Sequence, residues 1–165
     1  MTATTVVYTV LDLDEDGRCC YDGRDKWHLA HGGKPGRWMP RITGELIPCE
    51  RGYYVLREDQ LVLWLGPAIH RVEAEEPILW DDEKGVTARA RDLGRILNWN
   101  PRTQWLFYAD CAEHLLPIYE RYALDDRILR ASIAASRDYA NGRITADQLR
   151  AAWAKGAVAW AARRT

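Results

Sequence analysis

The pattern of apolar residues changes partway along this chain of 165 residues, and that change limits the folds it can adopt. Residues 6–80 are rich in β-branched and aromatic side chains and are punctuated by glycine and proline, which predicts short extended segments. After residue 80, apolar side chains recur every three to four positions, as they do in amphipathic helices. The sequence therefore predicts an α+β fold, with a β-rich unit over residues 1–82 and a helical unit of about four helices over residues 83–165.

The β-rich unit is predicted to be a small curved antiparallel sheet with one short helix. VVYTVLDL and RCCY flank the turn signal Asp16-Gly17 and predict a hairpin. ITGELIPC, GYYVL and AIHRVEAEE predict further strands, and EDQLVLWL predicts a short helix before the last of them. The glycine-rich residues 22–37 predict a loop.

Helix boundary signals divide the second half. Residues 83–97 predict a helix with Val86, Ala90, Leu93 and Leu97 on one face. Three more helices follow, and each has an end signal. Asn100 with Pro101 begins one helix, Asn141-Gly142 ends the next over residues 126–140, and the capping box of Thr145 and Gln148 begins the last over residues 146–163.

Composition excludes several broad classes of protein. The net charge of −1, without a block of like charges, disfavours a general nucleic-acid or anionic-membrane binder. No apolar run is long enough to span a membrane, and the N-terminus lacks the pattern of a signal peptide. The four cysteines form no CxxC pair, which predicts reduced thiols in a cytoplasmic protein.

The aromatic residues are predicted to lie mostly in the core. The chain has eight tryptophans and eight tyrosines against one phenylalanine, and each large ring can bury about 150–250 Å². Neither unit is large, so we expect their aromatic faces to pack together.

Two segments contain side chains that bind metals in other proteins. Asp12, Asp14 and Asp16 open a stretch resembling a calcium loop, but its twelfth position is Gly23 in place of the required glutamate, so an acidic hairpin turn is the better interpretation. His28 and His31 follow Cys19 and Cys20, a set suited to zinc, but their spacing matches no zinc finger. We expect this second segment to be a surface loop in which Trp27 packs inward, and we predict neither a metal nor a cofactor.

The sequence contains no convincing catalytic set. Ser132 and Ser136 lie inside a predicted helix, without a nucleophile elbow. Cys111 and His114 lie one helical turn apart, an arrangement that can activate a thiol, but a small buried thiol is the favoured interpretation. We therefore predict no catalytic residue.

The last helix combines basic and aromatic side chains. Arg163 and Arg164 follow Trp153 and Trp160, and such a pattern can bind nucleic acid or an acidic groove of another protein. An amphipathic helix with one solvated face would show the same pattern.

Two stretches of the second half, within about residues 95–150, read LNWNPRTQWLFYADCAEHLLPIYERY and DDRILRASIAASRDYANGRITADQL. On these stretches the second half resembles the small helical domains of immunity proteins in bacterial conflict systems. It implies an all-helical module that acts by binding another protein and has no established catalytic residues.

The segment CERGYYVLREDQLVLWLGPAIHRVEAE is similar to a small β-rich domain found in phage and bacterial genomes, and more loosely to ADP-ribosyltransferases. The second resemblance implies that Tyr54 stacks on the nicotinamide of NAD. The chain departs from that pattern at Leu65, where some members of the family have a second tyrosine. No later strand is predicted to carry a catalytic glutamate.

The leading hypothesis is thus a cytoplasmic, non-enzymatic protein of the immunity or phage-accessory type that binds another protein through Trp153, Trp160, Arg163 and Arg164. One alternative is an enzyme or an NAD or nucleotide binder related to ADP-ribosyltransferases, which would use Arg51, Tyr54 and one of Glu73, Glu75 or Glu76. Another is nucleic-acid binding through the last helix. Because side chains alternate along a strand, Tyr53 and Tyr54 are predicted to face opposite sides, with Tyr54 facing outward or into a cleft.

Overall fold

The computed structural model describes residues 2–12, 26–48, 50–121 and 127–161, with no side-chain description for 155–161. The chain divides into two compact units, Met1–Trp99 and Asn100–Thr165, whereas the sequence placed the boundary after residue 82. Antiparallel strands form the first unit and α-helices the second, so the α+β prediction is confirmed.

The first unit contains two three-stranded antiparallel sheets, ordered β1-β3-β6 and β2-β5-β4. The elements are β1 Thr4–Leu11, β2 Tyr53–Val55, a 3₁₀ helix Glu58–Leu63, β3 Ala68–Glu75, β4 Leu79–Trp80, β5 Gly85–Thr87 and β6 Ala90–Arg95. The short helix is therefore confirmed, as a 3₁₀ helix. The predicted strand ITGELIPC is wrong, because its described residues form no strand, and Ile47 makes only an isolated bridge with Arg51.

The free edge of β6 is covered by the segment 36–42. The amides of Gly36, Met39 and Ile42 donate to the carbonyls of Asp92, Ala90 and Ala88 over 2.8–2.9 Å. Gly36 permits this close packing, since a Cβ at that position would lie 1.7 Å from the carbonyl oxygen of His28. This segment satisfies the backbone groups that β6 would otherwise leave open.

The main core of the first unit lies on one face of the β1-β3-β6 sheet. Its members are Val7, Leu11, Trp27, Met39, Tyr53, Val55, Val72, Ala74, Ile78 and Ala90. Trp27 packs edge-on against Tyr53 with ring centroids 5.8 Å apart, so the prediction that Trp27 packs inward is confirmed. The opposite face buries a smaller cluster around Val10, Leu56 and Ile69.

The predicted helix over residues 83–97 is wrong, because this segment forms β5 and β6. Leu97, assigned to the apolar face of that helix, is 82% exposed. The buried positions of β6 are Ala90 and Asp92, which alternate with half-buried Arg91. A strand whose inward side chains are a small residue and a carboxylate does not show the apolar alternation by which strands are recognised.

The second unit contains three described helices, α1 Pro101–Glu120, α2 Arg127–Ala140 and α3 Ala146–Ala161. Their predicted end signals are confirmed. The side chain of Asn100 accepts from the amide of Thr103 at 3.1 Å. Gly142 has φ +70°, and Gln148 accepts from the amide of Thr145 at 2.8 Å. Among these described helices, none is both long and apolar enough to cross a membrane.

The buried residues of the helices join α2 to both of its neighbours. Ala109 and Leu116 of α1, Ile133 of α2 and Leu149 of α3 are buried. The expectation of a buried thiol in α1 is wrong, since Cys111 is an exposed free thiol. Leu115 is also 56% exposed. The inward stripe of α1 therefore runs through Ala109 and Leu116.

Candidate protein-binding surface

One tryptophan of the helical unit contacts three other aromatic rings. Trp105 of α1 packs edge-on against Tyr108, Tyr139 and Trp153, with ring centroids 5.9, 5.6 and 5.4 Å apart. Phe107 extends the group through Tyr108 at 6.4 Å. We call these five residues the aromatic patch. It draws side chains from α1, α2 and α3, so it exists only when the three helices are packed together.

Polar contacts hold the rings of the aromatic patch in place. The indole nitrogen of Trp153 donates to the hydroxyl of Ser136 at 3.3 Å. That hydroxyl itself donates to the carbonyl of Ser132 at 2.8 Å. Gln104 donates to the Tyr108 hydroxyl at 3.2 Å. Because these contacts restrict rotation of the rings before any partner arrives, binding would cost less conformational entropy.

The aromatic patch remains accessible to solvent. Trp153 is 46% exposed and Phe107 is 37% exposed, while the other three rings are half-buried. Tryptophan and tyrosine are enriched among the residues that dominate protein–protein binding, because one ring offers a large apolar area and a polar group. The surface therefore has the composition of a binding site for another protein.

An ionic network beside the patch fixes α1 against α2. The guanidinium of Arg137 contacts Asp110 at 2.7 Å and Glu113 at 2.6 Å. These carboxylates raise the pKa of Arg137, and Arg137 in turn holds the pKa of Glu113 below its ordinary value. Arg102 near the start of α1 also donates to Asn141 at 3.1 Å. The network stabilises the helix arrangement on which the aromatic patch depends.

A groove of about 300 Å³ lies between α1 and α2. Its apolar lining includes Leu116, Ile133 and Ala134. The charged residues along it are ion-paired within the unit: Arg130 with Glu120, Arg137 with Glu113 and Arg143 with Asp138. A charged ligand would have to compete with these pairs, so the groove is a weaker candidate than the aromatic patch.

Of the four residues predicted to bind a partner, Trp153 lies in the aromatic patch. The side chain of Trp160 and all of Arg163 and Arg164 lie outside the described residues. Trp105 and Tyr108 lie three residues apart on α1, so helical periodicity places them on one face. Tyr139 and Trp153 belong to α2 and α3, and only the packing of the three helices brings their rings into contact with Trp105.

The residues predicted to bind NAD belong to different elements of the structure. Tyr54 belongs to β2 and lies under the ammonium group of Lys84, which is 5.6 Å from its ring centroid. Glu73 belongs to β3, where it accepts from Thr4 at 2.8 Å and from Arg91 at 2.7 Å. Arg51 is exposed, and its backbone pairs with Ile47. Tyr54 and Glu73 thus lie in different sheets and contact different neighbours.

The other acidic candidates also have their own partners. Glu75 pairs with Arg41, and Glu76 accepts from Thr5 at 2.6 Å and from the amide of Ile78 at 3.0 Å.

The predicted alternation of Tyr53 and Tyr54 is confirmed, because Tyr53 is buried and Tyr54 is half-buried.

The described residues contain one buried acid–imidazole pair. Asp92 accepts from Nδ1 of His70 at 3.0 Å and from the amides of Ala30 and Gly94 at 2.7 and 2.9 Å. Both side chains are buried. The pair ties β6 to β3 and to the segment that follows Trp27. Sequence reasoning missed it, because His70 and Asp92 are joined only by the register of the sheet.

Within the described part of the chain, no three histidine, cysteine, aspartate or glutamate residues are grouped to hold a metal ion. His28 and His31 are described, but Cys19 and Cys20 lie outside the described residues. The same is true of Asp14, Asp16 and Gly17, which include most of the calcium-like stretch and the predicted hairpin turn.

Among the comparisons with known proteins, one match covers the helical unit. Residues 98–165 match the family model described as "Imm-5 like putative immunity protein". No curated protein and no solved structure matches the chain. The family match agrees with the resemblance seen in the second half of the sequence and supports an immunity-like role. These comparisons lend no support to the resemblance to ADP-ribosyltransferases.

Proposed function

We propose that this protein is a non-enzymatic, immunity-like protein that binds another protein through the aromatic patch. One observation carries the proposal: the residues that match the immunity family model are the ones that carry the patch. Immunity proteins act by occupying a partner protein, so a rigid and partly exposed set of aromatic rings suits that role.

Trp153 is the expected anchor of the interface. It is 46% exposed, and a tryptophan offers up to about 200 Å² of surface, so complete burial by a partner would remove about 100 Å² from water. At about 25 cal/mol per Å², that burial contributes about 2.5 kcal/mol. Contacts with Trp105 and Ser136 already fix the ring of Trp153. The conformational entropy lost on binding should therefore offset little of this favourable free energy.

The test begins with purification of the full chain from its native host and identification of any protein that accompanies it in stoichiometric amount. Binding of that protein is then measured by calorimetry with the native chain and with Trp153→Ala. We expect about a 10- to 100-fold loss of affinity. Trp153→Phe, which keeps a ring, should restore part of it.

The matched control is Val62→Ala, because Val62 is 62% exposed but lies in the first unit. Its affinity should equal that of the native chain. Circular dichroism establishes that each variant remains helical. Equal affinity of folded Trp153→Ala and the native chain would refute a role for the aromatic patch.

An immunity-like role adds a requirement beyond binding. Cells that express the identified partner should grow more slowly, and co-expression of the native chain should restore growth while Trp153→Ala restores less. We place this interaction in the cytoplasm, since the cysteine spacing indicates no disulfide framework and Cys111 is a free thiol. A partner that binds through the patch but does not affect growth would limit the protein to binding alone.

A further inference from the structure

Among the described strands, β1 lies at the edge of its sheet, and part of its backbone faces away from the sheet. The carbonyl of Ala3 accepts from the amide of Glu76 at 3.0 Å, so odd-numbered residues face β3. Tyr8 exchanges hydrogen bonds of 2.9 and 2.8 Å with Leu56 on the other side. Because the direction alternates along a strand, the amides and carbonyls of Thr4 and Val6 face the same way as those of Tyr8. Within the described part of the chain, they have no backbone partner on that side.

This edge lacks the features by which proteins prevent strand pairing. Residues 2–11 contain no charged residue and no proline. Val6 is 53% exposed, and the stretch is rich in threonine and valine, which favour strands. Charged side chains, prolines and bulges usually protect an exposed edge, and none lies on this one.

The nearby carboxylates do not oppose an approaching strand. Glu73 is bound by Thr4 and by Arg91. Glu75 is paired with Arg41. The carboxylate of Glu76 is held by hydrogen bonds from Thr5 and from the amide of Ile78. The open edge itself presents backbone groups and small side chains, and arginines neutralise two of the three carboxylates near it.

We propose that β1 pairs antiparallel with β1 of a second copy of this chain, centred on Thr4. In this register Thr4 meets Thr4 of the second copy, and Val6 meets Thr2, with two backbone hydrogen bonds at each pair. The two β1-β3-β6 sheets then form one six-stranded sheet. The contact has two-fold symmetry, so both copies use the same residues.

The length of the open edge favours a second copy over an unrelated strand. The bridge between Tyr8 and Leu56 closes the edge after Val6. A longer strand from another protein would meet Leu56, whereas a second copy presents an open stretch of the same length. The interface is small, and small interfaces form transient complexes, so the dimer should depend on protein concentration.

Sedimentation velocity over a wide range of concentrations tests the proposal, with the full native chain compared with Val6→Pro. Proline removes only the outward amide at this position, which the monomer does not use, and edge strands accept proline there. We expect the native chain to shift toward dimer as concentration rises. The variant should remain monomeric at concentrations at least 10-fold higher, with an unchanged unfolding midpoint.

Val6→Lys is the second variant, since it keeps the amide but adds a protective charge to the edge. The matched control is Leu115→Lys on α1, because Leu115 is similarly exposed, at 56%. We expect the first to abolish dimerisation and the second to leave it unchanged. In Thr4→Cys, oxidation should cross-link two chains, because directly paired strand residues lie about 5.5 Å apart, within reach of a disulfide.

Two results would overturn the proposal. One is a native chain that stays monomeric at every concentration tested. The other is a folded Val6→Pro or Val6→Lys that dimerises as the native chain does. If Val6→Pro fails to fold, the comparison of Val6→Lys with Leu115→Lys decides the matter alone.

Discussion

Asp92 shows how much of this fold depends on one buried carboxylate. It is 1% exposed and accepts hydrogen bonds from His70 and from two backbone amides on different segments. A buried charge is tolerated when hydrogen bonds replace the water it has lost. Removal of the charge would leave those donors facing a neutral side chain that cannot satisfy all of them.

Asp92→Asn should lower the free energy of unfolding by about 3–5 kcal/mol, since it breaks a buried pair and turns an amide NH₂ group toward hydrogen-bond donors. Urea denaturation followed by tryptophan fluorescence measures the loss. Asp147→Asn is the matched control, because the Asp147 side chain is 84% exposed, and it should change stability little. A loss of the same size in both variants would contradict the special role of Asp92.

The same carboxylate predicts a pH dependence. Burial raises the pKa of Asp92, but hydrogen bonds from His70 and from the amides of Ala30 and Gly94 outweigh it, so its pKa lies below the ordinary value. A depressed pKa means that the folded state prefers the charged form. Its contribution is therefore full above about pH 4, the ordinary range for aspartate, and is lost as pH falls through the folded pKa. The stability difference between native chain and Asp92→Asn should shrink on acidification, and a constant difference would contradict this account.

The alternation of Tyr53 and Tyr54 could be predicted from sequence because it depends only on the two-residue period of a strand. The pairing of Asp92 with His70 could not. It depends on the register between β3 and β6, which shifts between Arg71 and Val72. No local pattern in a single sequence encodes such a shift.

At the scale of elements, local signals predicted the helix ends well but missed strands β5 and β6. Helix caps can be predicted from sequence because each cap depends on residues only a few positions apart, as with Asn100 and Thr103. The sequence did not predict β5 and β6, because their buried residues include Gly85, Thr87 and Asp92, which are not apolar. Their strand identity comes from pairing with β2, β4 and β3, which is tertiary information.

The cap of α1 gives a prediction at this scale. Asn100→Ala removes the acceptor for the Thr103 amide and should cost about 1 kcal/mol of stability. Asn100→Asp keeps a side-chain oxygen at the same place and should remain within a few tenths of a kcal/mol of the native chain. Thermal unfolding followed at 222 nm compares the three proteins. Equal stability of the alanine and aspartate variants would show that the cap contributes nothing.

For the molecule as a whole, the small net charge conceals two units of opposite sign. Residues 1–99 contain 13 basic and 17 acidic residues, and residues 100–165 contain 10 basic and 7 acidic residues. These numbers account for the net charge of −1. The unit that matches the immunity family model is thus the basic one, so the partner that we propose should present an acidic surface. The difference in charge between the two units can be counted from the sequence only once the structure shows that the first unit ends at Trp99.

The final prediction concerns the independence of the helical unit. Residues 98–165 contain their own buried residues, their own ion pairs and the cap at Asn100. We expect this fragment to fold alone, with a helical circular dichroism spectrum and a cooperative but modest unfolding transition, since a domain of about 60 residues buries only about 60% of its surface. A fragment over 101–165 lacks the cap and should be less stable by about 1 kcal/mol. A fragment over 98–165 that shows no cooperative unfolding would mean that its contacts do not suffice, and the aromatic patch would then need the full chain to form.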